Sequence, residues 1–145
     1  MTTKTTIAFV FSAALSGGSL SVAAQEYPAC GRDALTEARS LETLPAQVNA
    51  LLGRDRAGLD GIADRDGKFN VTDVVDSKLP MRRFVLAGFN RRCALVAIER
   101  GGRGHRFEVL AFERADGKWR AKERWSVDPA PRSFRELRQP ARRTR

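Results

Sequence analysis

Residues 82–127 read RRFVLAGFNRRCALVAIERGGRGHRFEVLAFERADGKWRAKERWSV. In this stretch apolar and polar residues fall at period two, in four runs separated by short links. The runs are residues 83–89, 93–100, 105–114 and 119–127, and the links are 90–92, 101–104 and 115–118. Asp116-Gly117 in the last link is a two-residue hairpin signal, because both positions accept positive φ. Links this short join strands only in antiparallel fashion, so the sequence predicts an antiparallel β-meander. The inner runs are apolar on both sides. Cys93, Leu95 and Ala97 alternate with Ala94, Val96 and Ile98, and Phe107, Val109 and Ala111 alternate with Leu110 and Phe112. Such strands need cover on both faces of their sheet. The last run places Trp119, Ala121, Glu123, Trp125 and Val127 together on one face by simple alternation.

The flanks supply the cover. Asp33 is a plausible N-cap, and residues 34–39 are expected to form a short helical segment. Pro45 suits a first helical turn, Leu44, Val48, Leu51 and Leu52 share one helical face, and Gly53 is a natural stop. A loop over residues 54–68 follows, and then a strand or extended edge over 69–75. After the meander, Asp128-Pro129-Ala130-Pro131 ends the sheet, and Ser133 with Glu136 fits a capping box. A short C-terminal helix is expected there, with Phe134 and Leu137 docking on the sheet. The fold class is α+β: N-terminal helix or helices on a four- to five-stranded antiparallel meander, with a short C-terminal helix. One domain covers residues 25–131, and a basic tail covers 132–145.

The first 24 residues carry one cation, Lys4, then an apolar run from Ile7 to Leu15, then small residues ending Val22-Ala23-Ala24. This is the layout of a secretion signal cleaved before Gln25. Ser16, Gly17, Gly18, Ser19 and Ser21 interrupt the run, so it falls short of the roughly 20 apolar residues of a membrane span. The expected location is the periplasm or the medium. Cys30 and Cys93 are the two cysteines of the chain, and in an exported protein they are expected to pair as a disulfide. The chain has 26 Lys and Arg against 17 Asp and Glu, a formal net charge of +9. Much of that surplus sits in the tail, in Arg132, Arg135, Arg138, Arg142, Arg143 and Arg145. Arg135, Arg138, Arg142, Arg143 and Arg145 are candidates for weak contact with anionic lipid or lipopolysaccharide phosphates. Export argues against a nucleic-acid partner.

Within the body, Asp64 to Asp73 has the spacing of the back of a calcium loop. With Gly67 at the turn, Asp64, Asp66, Asn70 and Asp73 fall at ligand positions. Ile62, which carries no oxygen, occupies the first position, so the bland reading is an Asp66-Gly67 turn. Asn70-Val71-Thr72 matches a glycosylation acceptor. Gly101-Gly102-Arg103-Gly104 has the glycine content of a phosphate loop but leads into a strand, where such loops lead into a helix. His105, the only histidine, has no metal-ligand or triad company. Glu99, Glu108, Glu113 and Glu123 are read as cross-strand partners of arginines. No cofactor motif is present.

These residues point to an exported, small, non-catalytic binding protein of the inhibitor or immunity type, with a protein partner in the cell envelope. The plan is similar to that of small periplasmic inhibitors and binding proteins, a likeness of architecture that does not establish function. Two alternatives remain: a small secreted hydrolase with an acid-based site, and a calcium-binding module using the Asp64–Asp73 loop.

Overall fold

The computed structural model describes residues 30–31 and 33–138. The segment read as a secretion signal, and Arg142, Arg143 and Arg145 of the tail, lie outside the described residues. The elements are β1 (Thr36–Ala38), α1 (Ala46–Leu52), β2 (Arg82–Phe89), β3 (Cys93–Arg100), β4 (Arg106–Ala115), β5 (Lys118–Val127) and α2 (Phe134–Leu137), with 3-10 turns at Leu41–Thr43 and Gly58–Asp60. The five strands form one antiparallel sheet in the order β1-β2-β3-β4-β5. No helix among the described residues is long and apolar enough to cross a membrane.

The expected meander is therefore present, and a fifth strand joins it. Residues 34–39 do not form the expected helical segment: Thr36–Ala38 instead pair with Phe89, Gly88 and Ala87 along the outer edge of β2. An open strand edge leaves backbone groups unpaired, and three residues of chain satisfy them here. Residues 69–75, expected to be a strand or extended edge, form no strand.

Both sheet faces are covered. On one, Ala94, Val96, Ile98 and Phe112 pack with Leu41, Leu44, Val48, Leu52 and Ile62, brought in by α1 and its flanking turns. On the other, Cys93, Leu95, Ala97, Val109 and Ala111 pack with Cys30 and Leu137, and Phe134 lies against the same cluster. The C-terminal helix is thus one cover of the second face, and the Cys30–Cys93 disulfide, with a Cα–Cα distance of 5.6 Å, is another. Arg138, read as part of the free tail, donates from Nη2 to the Asp33 carbonyl and so fastens α2 to the start of the domain.

Simple alternation fails at two bulges. Phe84 pairs with Ile98 but Leu86 with Ala97, so Val85 is an extra residue in β2. Phe112 pairs with Ala121 but Ala111 with Glu123, so Lys122 is an extra residue in β5. Each bulge moves the residues beyond it to the opposite face. Trp119 therefore enters the first cluster and Trp125 packs against the second, where alternation alone had placed both on one face.

Candidate functional site

Two buried glutamates stand near the same end of the sheet. Glu99 faces Phe107 across the β3–β4 ladder, and Glu108 faces Ile98. Neighbouring positions along a strand point to opposite sides, so the two carboxylates lie on opposite faces of the sheet. They cannot flank one scissile bond as an acid pair must. Arg83 reaches Glu99 Oε2 with Nη2 at 2.6 Å and Nε at 3.1 Å, and His105 Nε2 lies 2.7 Å from Oε1. Glu108 Oε1 accepts from Arg106 Nε at 2.7 Å. Both acids are paired with cations, Glu99 with Arg83 directly across the β2–β3 ladder and Glu108 with Arg106 two residues earlier on its own strand.

The Glu99 clamp has a second consequence. The Arg83 guanidinium, fixed by Glu99, lies 4.5 Å above the ring of Phe69, and Phe69 is buried. This cation–π contact seats the residue that enters the following loop.

That loop, residues 70–80, is built around one side chain. Asn70 is 4% exposed. Its Nδ2 donates to the carbonyls of Asp76 at 2.9 Å and Leu79 at 2.8 Å, and its Oδ1 accepts from the Asp76 N–H at 2.7 Å. Its backbone N–H donates to the Pro80 carbonyl at 2.9 Å, which closes the ends of the loop. Asp76 tightens the return through Oδ1, which accepts from the Lys78 N–H at 2.8 Å. The result is a compact surface loop with adjacent ends, the Ω type. Its base rests on the β3–β4 connection, where the Gly102 N–H donates to the Val71 carbonyl. A Cβ on Gly101 would stand 1.6 Å from the Asn70 carbonyl oxygen, so glycine there permits a close backbone approach. Gly102 and Gly104 have φ of +82° and +73° and turn the connection, with no helix N-terminus to hold a phosphate.

Three valines are exposed among the polar residues of the loop. Val71 and Val75 are about half exposed, and Val74 is 85% exposed. Asp73 flanks them, 3.9 Å from Arg103 Nε. Valine side chains have few rotamers to lose, and the ends of the loop are already fixed through Asn70. Such a tip can dock in a cleft with little ordering cost.

The four oxygens read as calcium ligands are placed differently from one another. Asp64 accepts from Ser40 Oγ at 2.9 Å and from the N–H groups of Leu41 and Arg65 at 3.1 and 2.8 Å. Partial burial works to raise its carboxyl, but those hydrogen bonds and the Arg54 charge outweigh it and hold the group below the usual carboxylate range. Asp64 therefore stabilises the 3-10 turn Leu41–Thr43 at neutral pH, and that contribution is lost as pH falls through the lowered value. Asn70 is committed to the loop, Asp73 faces Arg103 and Asp66 is exposed. Among the described residues no three His, Cys, Asp or Glu side chains converge. The buried amide of Asn70 is also unavailable as a glycan acceptor in the folded chain. Of the tail candidates, Arg135 is exposed on α2 and Arg138 is committed to Asp33.

Sequence reading expects a turn over 76–80 but not the loop as a whole, because its organiser, Asn70, acts on backbone groups six to ten residues away, and no short motif encodes that. Comparison with known proteins finds no matching family, no matching curated protein and no matching solved structure.

Proposed function

We propose that this chain is an exported, non-catalytic protein-binding module of the inhibitor or immunity type, and that loop 70–80 is its contact surface. The observation that carries this reading is the exposure of Val71, Val74 and Val75 on a loop whose backbone is fixed from within by Asn70. Three exposed valines on one loop add nothing to the folded core. Exposed apolar groups on one ordered loop fit a partner with an apolar cleft. Asp73 and Asp76 beside the valines are matched by Arg103 and Lys78, so the loop carries no cationic surplus for an anionic membrane. The pairing of both buried glutamates with arginines supports a binding role over hydrolysis. The disulfide fits an oxidising compartment.

Photo-crosslinking in the producing cells tests the reading. A photoreactive amino acid at position 74 is expected to yield a discrete protein adduct. The same group at Asp116, at the exposed β4–β5 hairpin tip, is expected to yield none. Equal adducts at both positions, no adduct at 74, or an adduct with lipid alone would overturn it.

A further inference from the structure

We propose that the arginine row Arg82–Arg100–Arg106 is a second binding site, one that takes a phosphate group. The three residues stand directly opposite one another on β2, β3 and β4, so their side chains share a face of the sheet, the one that also carries Glu108. Like charges at directly opposed positions repel, and here two such pairs occur in succession. Compensation from the protein is partial. Glu108, 3% exposed, takes Arg106 Nε at 2.7 Å and lies 3.5 Å from Arg100 Nε. Arg82 donates from Nη2 to the backbone carbonyl of Asp60 at 2.5 Å.

Arg56 adds a further positive charge close enough to act on Arg82, and Asp60 a negative one. Burial first, and then the charges of Arg100 and Arg56, pull the Arg82 guanidinium below its usual range. The three guanidinium groups of the row thus face one carboxylate, Glu108. The surplus matches the dianion of a phosphate monoester at neutral pH. The chemistry of the donors also fits. Among the described residues no acceptor engages the terminal Nη atoms of Arg100 or Nη2 of Arg106. A guanidinium fork presents paired N–H donors in the geometry an oxyanion takes. This site lies on β-strands beside the connection that supports loop 70–80, but its donors are arginines outside that loop, so it stands whether or not the loop docks a protein.

The phosphate could be free, carried by a soluble monoester, or part of a lipid headgroup, and the experiment separates these sources. Arginine Nε–Hε resonances of the full chain are followed by NMR during titration with inorganic phosphate, with chloride at matched ionic strength as the reference. Arg100 and Arg106 are expected to shift saturably with phosphate and not with chloride. Arg106→Gln is expected to weaken binding about tenfold or more, as loss of a charge-assisted contact does. Arg106→Lys keeps the charge beside Glu108 and is expected to fold normally yet bind more weakly, because it lacks the fork. Arg91→Gln, in the turn at the far end of β3, is expected to change nothing. Sedimentation with phosphatidylglycerol vesicles, against phosphatidylcholine, forms the second arm. Vesicle binding lost in Arg106→Gln assigns a lipid headgroup, and saturable phosphate binding without vesicle binding assigns a soluble phosphate. Absence of both, or equal effects of Arg106→Gln and Arg91→Gln, would overturn the proposal.

Discussion

Replacing Asn70 with alanine is expected to lower the unfolding free energy by about 3 kcal/mol and to release loop 70–80 from its fixed shape. The side chain meets four backbone groups on the return of the loop, at Asp76, Leu79 and Pro80. Removing it leaves those groups without a partner in a part-buried site, at about 1–3 kcal/mol for each that water cannot reach. Hydrogen exchange reads the same event locally. The amides of Asp76 and Lys78 should be protected in the parent protein and exchange far faster in Asn70→Ala, while those of β3 should keep their order of protection. A loss below about 1 kcal/mol with unchanged protection would mean that the loop is held by something other than Asn70.

Opening the Cys30–Cys93 bond is expected to cost about 3–4 kcal/mol, measured as the difference in urea unfolding between oxidised and reduced protein. The bond closes a loop of 63 residues, and the chain-entropy model gives that order for a loop of this length. Both cysteines are buried in the cluster that contains Leu95, Val109 and Leu137, so the bond also holds the cover of that face in place. Loss of the bond should therefore weaken docking of α2, and the Phe134 and Leu137 signals should broaden first. Equal stability of the two forms would show that the N-terminal cover packs without a covalent tie.

The meander was legible because its signal is local. Period-two alternation and Asp116-Gly117 specify strands and a hairpin with no information from distant residues. The two-sided apolar character of β3 and β4 likewise announced two covers, and both exist. What sequence periodicity could not show were the extra residues Val85 and Lys122, since a bulge is a property of the pairing and not of one strand. The two tryptophans were misassigned to one face for that reason. Thr36–Ala38 were expected to be helical because three residues carry almost no strand signal. Their conformation is decided by the open edge of β2, more than 40 residues away.

The candidate site was legible only in part. Both glutamates have arginine partners as expected, but only Glu99 takes its partner, Arg83, directly across strands; Glu108 takes Arg106 from its own strand. The segment Asp64 to Asp73 attracted notice for its oxygens, but its structural importance comes from two other features. Asp64 supports a turn 23 residues away through Leu41, and Asn70 folds the loop after it. Neither partner is marked by spacing. The exposure of Val74 was equally hidden, since a valine flanked by another valine reads as strand until the backbone is seen to turn outward.

The proposed contact surface is tested most directly by the affinity of the crosslinked partner, once purified, for the parent chain and for Val74→Asp. Val74 is almost fully solvated, so the substitution should leave the melting temperature unchanged, as surface changes usually do. If the tip of loop 70–80 enters a dry cleft, a carboxylate there is buried without a partner, and affinity should fall by about 100-fold or more. An affinity within about twofold of the parent, at equal stability, would contradict the account, because truncations at the centre of a true interface cost more than that.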